Sequence, residues 1–277
     1  MNDTGYRIVA SDMDETFLAH DHHLPAANVE AIRKLRAVGC LFVPASGRAY
    51  GSVMASLAEL PAELMEGSYV ISYNGGCITR FGEDAPLVSH TMGRDRIRAL
   101  FDHGKSLGIC MHVYGLDGTV WGFDMVPAEI DYLKGHMDYV DCGHGDLDLV
   151  GDAPLAKLLM VLPGALDELH RLRDDMDPEL LEGVDTTFSS GRYLELIPKG
   201  VNKGRGLAAV AQLEGVDLGR TIACGDAEND LDMIEVAGVG VAVSNASADV
   251  RRRANLVTTT SCDDGVLAEV WHRLFEA

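Results

Sequence analysis

Two periodicities alternate along the first eighty residues. YRIVAS (6–11) is a short apolar run that suits a buried strand. It is followed by PAANVEAIRKLRAVG (25–39), where Ala31, Ile32, Leu35 and Val38 fall on one helical face. Pro25 stands near the start of that helix and Gly39 at its end, the expected punctuation. CLFVPAS (40–46) then reads as a second buried strand and AYGSVMASLAEL (49–60) as a second helix. SYVISYNGG (68–76) reads as a third strand closing on an Asn-Gly turn. Strand, helix, strand, helix, strand is the rhythm of a parallel sheet with helical crossovers.

After about residue 82 the pattern changes. ICMHVYGLDGTVWGF (109–123) predicts two strands joined by a Gly/Asp-rich turn, hence an antiparallel hairpin. Residues 127–140, 155–163 and 165–176 follow as helix, strand and helix, and TTFSSGRYLELIP (186–198) adds one or two strands. This middle region reads as an α+β module inserted into the first domain. The α/β rhythm returns near residue 200, with helices over 202–215 and 227–238, strands over 220–226 and 239–244, and helices over 247–254 and 265–277.

Composition narrows the function classes. Of 277 residues, 43 are Asp or Glu against 23 Lys or Arg, a formal charge of −20 that repels nucleic-acid backbones and anionic membranes alike. No apolar run reaches the ~18 residues of a membrane span, and MNDTGYRIVAS lacks the basic and long apolar regions of a secretory signal. The six cysteines are scattered without a C-x-x-C pair, which indicates reduced, mostly buried thiols in a cytoplasmic protein rather than a zinc site or a disulfide framework. Oligomeric state is not readable from these features.

Ligands of an open α/β sheet bind beyond the carboxyl ends of its strands. The candidate strands end at Asp12-Met13-Asp14, Ser46-Gly47-Arg48, Asn74-Gly75 and Gly225-Asp226, and Lys203 opens a helix that can join them. If the strands are parallel neighbours, polar groups from distant sequence converge on one edge. Asp12, Asp14, Asp226 and Asp230 gathered there repel one another, and one lysine does not offset them. An oxygen-loving divalent cation does, and Mg²⁺ characteristically takes one or two carboxylates, waters and a phosphate. Mg²⁺ and Lys203 together make a positive hole suited to a phosphoryl group, with backbone N–H groups as further donors. A carboxylate attacking phosphorus is a known form of covalent catalysis.

With these residues in place, the chain resembles the haloacid dehalogenase (HAD) superfamily of phosphohydrolases, in its Cof-type branch (subfamily IIB). Four motifs match in order: DMDET (12–16), SGR (46–48), IPKGVNKG (197–204) and GDAENDLDM (225–233). SYNGG (72–76) matches a further element of the branch. The resemblance implies a Rossmann-like parallel-sheet core over 1–82 and 193–277 and an inserted α+β cap of C2B type over 83–192. The cap is expected to cover the site, exclude water and select the leaving group, which favours small phosphorylated metabolites such as sugar phosphates. Asp12 is implied as nucleophile and metal ligand. Asp14 is implied as general acid/base, its backbone carbonyl on the metal. Lys203 and Ser46 are implied to hold phosphoryl oxygens, with the Met13 and Gly47 amides beside them. Asp226 completes the metal ligation, Asn229 touches phosphate, and Asp230 orders the metal waters or Lys203. Arg48, Asn74 and the cap residues His112, Tyr114 and Arg192 are candidate substrate contacts.

The first motif departs from the family in one place: Glu15 stands where Gly is usual after the second Asp, from which a local change in loop shape or charge is expected. Two other functions share the same residues. A phosphomutase of this fold would not release inorganic phosphate, and a non-catalytic sensor would bind without turnover, although a retired site has no need of Asp12, Asp14, Lys203 and Asp226 together. Each piece also has an ordinary reading taken alone. Asp12 and Asp14 suit a cap or turn, Lys203 a solvated surface, and Asp226 and Asp230 a helix start that favours acids. GRGLAA (204–209) loosely imitates a dinucleotide-binding loop but lacks a strand directly before it. GLDGT (115–119) falls in the predicted hairpin turn, GDLDLVGD (145–152) lacks calcium-loop spacing, and HDHH (20–23) reads as an exposed loop rather than a metal site.

Overall fold

The computed structural model describes residues 5–135 and 137–276; the expected spans and elements that include residues 1–4, 136 and 277 lie outside the described residues at those positions. Two compact units emerge. One runs to Ser89 and resumes at Asn202, and the other is His90–Val201.

The first unit is built on an eight-stranded sheet. Across it, in order, lie Leu256–Val257, Val239–Ala242, Thr221–Gly225, Ile8–Asp12, Leu41–Ala45, Tyr69–Ser72, Cys77–Arg80 and Val88–Ser89. The first six run parallel, and the last two are joined on through antiparallel pairings. Asp12 therefore ends a central strand, flanked by the strands that end at Ala45 and Gly225, with Ser46 and Asp226 next in each chain. Both faces of the sheet are covered, as a parallel sheet requires. Val9, Phe42, Val70, Ile222 and Val241 pack with Ile32 and Leu35 of helix Ala26–Ala37 and with Val270 and Trp271 of helix Val266–Leu274. Ile8, Ala10, Val43, Tyr69 and Ile71 pack on the opposite side with Leu207 and Val210 of helix Lys203–Leu213.

The second unit has a six-stranded sheet in the order Val184–Ser189, Tyr193–Pro198, Leu155–Val161, Cys110–Gly115, Val120–Phe123 and Val140–Asp141. It is antiparallel except for its last pair. The hairpin predicted over 109–123 is present, with GLDGT at its turn. Helix Arg94–Ser106, which the reading above does not anticipate, packs Ile97, Leu100 and Phe101 into this unit's core.

The junctions fall after residues 89 and 201, not 82 and 192. The reason is pairing: Val88–Ser89 hydrogen-bonds to Cys77–Arg80 of the first sheet, while Tyr193–Pro198 is a paired strand of the second. GRGLAA lies inside helix Lys203–Leu213, so it is not a strand-to-helix phosphate loop. Among the described residues no helix is long and apolar enough to cross a membrane.

Candidate active site

Local sequence sets the site. Strand Ile8–Asp12 is wholly buried, and the chain turns sharply after it into the single irregular turn Met13–Phe17. Within that turn Glu15 adopts φ 55°, ψ 13°, the left-handed conformation that a glycine takes without cost. The departure at position 15 thus keeps the sharp turn and accepts strain, with the Glu15 side chain exposed and its carbonyl receiving a hydrogen bond from Asn245 Nδ2 at 2.8 Å. Asn28, buried on helix Ala26–Ala37, anchors the far end of the turn by donating to the Phe17 carbonyl at 2.7 Å.

At the strand's end Asp12 is 8% exposed, whereas Lys203 and Asp230 are 0% exposed. The Lys203 ammonium donates to both carboxylates, to Asp12 Oδ1 and, at 2.6 Å, to Asp230 Oδ1. The other Asp230 oxygen, Oδ2, accepts the backbone N–H groups of Asp226 and Ala227 at 3.0 Å each. Gly225 makes this possible, because a Cβ there would sit 2.4 Å from the Asp230 Cβ. Asp226 Oδ1 accepts from Thr16 Oγ1 at 2.7 Å. Carboxylate oxygens of Asp12, Asp226 and Asp230 all lie within 4.8 Å of one another.

The electrostatics follow from burial. Desolvation, against the pull of Lys203 and reinforced by Asp230, Asp226 and Asp14, holds the Asp12 carboxyl well above the usual range. Burial and the Asp230 charge push Asp226 up to about 7, although the Thr16 hydrogen bond and Lys203 oppose them. Burial alone would lower Lys203, yet Asp12 and Asp230 overcome it and hold the ammonium above its ordinary value. This is a carboxylate cluster with more negative charge than its one lysine neutralises. Its donor set is all oxygen, and Asp230 is fully engaged. The residues therefore fit a hard divalent cation between Asp12 and Asp226.

Asp14, half-exposed, does not join that cluster. Arg48 holds it with a two-pronged contact, Nε to Oδ2 at 2.9 Å and Nη2 to Oδ1, and His22 Nδ1 lies 3.3 Å from Oδ1. Ser46 follows its strand directly, and its Oγ accepts from the Arg48 N–H at 3.1 Å. Asn74, in the left-handed region at φ 54°, donates its N–H to the Ser46 carbonyl at 2.9 Å and accepts from Asn229 Nδ2 at 3.3 Å. A Cβ on Gly47 would press within 3.2 Å of the Asn74 side chain, so any larger residue there requires Asn74 to shift. One edge of the first unit thus gathers Asp12, Met13, Asp14, Ser46, Gly47, Arg48, Asn74, Lys203, Asp226, Asn229 and Asp230. Thr16, Asn28 and Asn245 complete its hydrogen bonding, and the sequence reading gives them no role because a single short polar residue in a turn, helix or loop carries no distinguishing pattern.

His112, Tyr114 and Arg192 belong to the second unit. His112 is fully enclosed, 3.6 Å from Glu129 Oε1, so its ring is not presented as a contact surface. Burial, helped by Lys157, pushes its imidazole down to about 4. Buried Glu129 also accepts from Arg192 Nη1 at 2.7 Å and from the Tyr193 hydroxyl at 2.6 Å. Lys157 pairs with Glu195 at 2.6 Å and lies over the Tyr114 ring. Glu129, Lys157 and Glu195 form a buried charged set that the alternation of this unit's strands does not flag.

The arrangement has relatives. A 5-amino-6-(5-phospho-D-ribitylamino)uracil phosphatase, YwtE, of Bacillus subtilis (strain 168) is 28% identical over 282 residues, covering 94% of this chain and 95% of that protein. The crystal structure of a haloacid dehalogenase-like hydrolase from Bacteroides thetaiotaomicron superposes with a TM-score of 0.81 at 26% identity, covering 98% of this chain and all of that one (100%). The HAD subclass IIB sugar phosphatase BT4131 shares the fold at a TM-score of 0.80 and 18% identity, covering 96% of this chain and 98% of that one. The family model of haloacid dehalogenase-like hydrolases matches residues 9–270, and the chain belongs to that family.

Proposed function

We propose that the chain is a Mg²⁺-dependent phosphomonoesterase of small phosphorylated metabolites, sugar phosphates above all, acting in the cytoplasm through an aspartyl-phosphate on Asp12. The observation that carries this reading is the buried bridge in which Lys203 joins Asp12 and Asp230 at the end of the central strand. It fixes a carboxylate beside an ammonium where an incoming phosphoryl group would lie.

Asp12 attacks phosphorus in line with the ester oxygen, forming one P–O bond as the other breaks. Asp14 gives its proton to the departing alcohol and then takes one from the water that releases inorganic phosphate, work worth ~10²–10⁴ in rate. Lys203, Ser46, Asn229 and the amides of Met13 and Gly47 hold the phosphoryl oxygens, and positioning of this kind supplies most of the catalysis in phosphoryl transfer. An arriving phosphate offers Arg48 a competing anion and so frees Asp14 to turn toward the leaving oxygen. Asp12 and Asp226 by carboxylate, and Asp14 by its carbonyl, are the residues to hold the cation, with Asp230 behind them; when bound it neutralises charge on the phosphoryl oxygens. The phosphoribityl group in the name of the YwtE relative supports a phosphorylated sugar or polyol as the leaving-group class.

The test is phosphate release from a panel of phosphorylated sugars, cofactors and nucleotides, with Mg²⁺ and with EDTA. Metal-dependent release is expected, and it is expected to vanish in Asp12→Asn while the circular dichroism spectrum is unchanged. Turnover in that variant at the wild-type rate would refute the nucleophile assignment.

A further inference from the structure

Residues 20 and 262, 242 apart in sequence, meet on the first unit's surface next to the nucleophile turn. The Cys262 sulfur lies 3.2 Å from His20 Nδ1 and 4.0 Å from Asp263 Oδ1, and His20 Nδ1 lies 3.0 Å from Asp263 Oδ2. We propose that His20, Cys262 and Asp263 form a second metal site, separate from the aspartate cluster, for a borderline-soft divalent cation of the Zn²⁺ class.

Three observations carry it. The first is spacing: a tetrahedral ion with ~2.1 Å bonds to nitrogen and oxygen and a ~2.3 Å bond to sulfur sets its ligands roughly 3.4–3.6 Å apart. The three distances here lie within about half an ångström of that, so small side-chain rotations close the set.

The second is the convergence of a nitrogen, a sulfur and a carboxylate oxygen around one point. His20 Nδ1 faces both oxygens of Asp263 and the sulfur of Cys262. A ring with a proton there donates to the carboxylate while the rotatable thiol hydrogen turns toward Asp263 Oδ1. Without that proton it accepts from the thiol but opposes the carboxylate lone pairs. A cation replaces the thiol proton, which leaves to solvent, and accepts electron pairs from all three atoms.

The third is support from the backbone. The His20 N–H donates to Asp263 Oδ1 at 3.0 Å, and the Cys262 N–H donates to Asn245 Oδ1 at 3.0 Å. Both ligand-bearing segments are therefore held before any ion arrives. His20 and Asp263 are each 52% exposed while Cys262 is buried beneath them, so an ion enters from solvent onto a protected sulfur. The thiolate and imidazole select against Mg²⁺, which prefers oxygen. Asn245 also donates to the Glu15 carbonyl, so the second site rests on the turn that positions Asp14.

The test uses Co²⁺ as the probe, titrated into the full chain with excess Mg²⁺ present to fill the oxygen-donor cluster. The expected result is a near-ultraviolet thiolate-to-Co²⁺ charge-transfer band saturating at one equivalent, bleached by one equivalent of Zn²⁺, absent in Cys262→Ser and weakened at least ~10-fold in affinity in His20→Ala. A band that survives in Cys262→Ser, or no band in folded wild-type protein, overturns the proposal. Metal-dependent turnover plays no part in this readout, so its result is independent of the phosphatase reading.

Discussion

Asp230→Asn is nearly isosteric, and the structure says it is nonetheless costly. Each Asp230 oxygen only accepts: Oδ1 from the buried Lys203 ammonium, Oδ2 from the N–H groups of Asp226 and Ala227. Asparagine offers one accepting oxygen and one donating nitrogen, and either orientation fails. With the nitrogen toward Lys203, a charge-assisted bond worth ~1.5–3 kcal/mol is lost and a buried ammonium faces a donor. With the nitrogen toward the turn, two buried backbone donors are orphaned at ~1–3 kcal/mol each. Taking the milder orientation, the loss is about 2–4 kcal/mol, close to the usual cost of breaking a buried ion pair. Urea denaturation in EDTA isolates this protein–protein contribution from any bound cation. A fall of that size at unchanged m-value is expected. Because Lys203 then keeps only Asp12, its ammonium drifts from the phosphoryl position, and kcat is expected to drop ~10²-fold, the scale of an ångström-sized misplacement. A stability loss under ~0.5 kcal/mol would show that the three donors do not depend on this carboxylate, and the account of the site would fail.

Two other predictions test the frame around the site. Burial would raise Glu269, but the Thr260 hydroxyl, the Thr259 and Thr260 amides and the Thr259 hydroxyl lower it from 4.5 to about 2. A depressed folded-state value contributes stability above pH 4.5 that is lost as pH falls toward 2, so the penalty of Glu269→Gln in urea titrations is expected to be about 2–3 kcal/mol at pH 7 and to shrink steadily below pH 4.5. A penalty constant with pH would refute the assignment. At position 15 the left-handed backbone strains a glutamate, and Glu15→Gly is expected to stabilise by roughly 0.5–1 kcal/mol after glycine's greater unfolded-state entropy is subtracted. Thermal melts read this as a rise of about 2 °C, and a fall would show that the Glu15 side chain contributes more than its backbone costs.

What was legible in the sequence was whatever repeats with a fixed period or sits at a strand's end. The five apolar runs 6–11, 40–46, 68–76, 220–226 and 239–244 each became a strand of the first sheet, and the polar residues that follow them converge as the parallel reading requires. Helix Arg94–Ser106 had a signal of the same kind, since Ile97, Leu100, Phe101 and Gly104 are buried at helical spacing, but its polar remainder masks it. The two-residue strands Leu256–Val257 and Val88–Ser89 had none, because two residues show no alternation and exist only through their neighbours' hydrogen bonds. That is why the first junction falls after residue 89 rather than 82.

Charge was legible only as a sum. Four acids near one edge imply compensation, yet nothing in the order of residues distinguishes Asp14, half-exposed and gripped by Arg48, from Asp230, sealed against Lys203 and two amides. The difference is in the neighbours. Asp230 lies beside a glycine whose missing Cβ lets its carboxylate reach the Asp226 turn, whereas Asp14 leaves a turn that points it outward. Burial then converts position into chemistry: the enclosed carboxylates Asp12 and Asp226 are raised and ready to exchange protons for a cation, and the outer one stays free to move with its arginine. The proposed mechanism, with Asp12 as nucleophile and Asp14 carrying a proton to the leaving group, uses both kinds of aspartate. The strand end supplies them two residues apart, by placing Asp12 inside the sheet edge and Asp14 in the turn that follows.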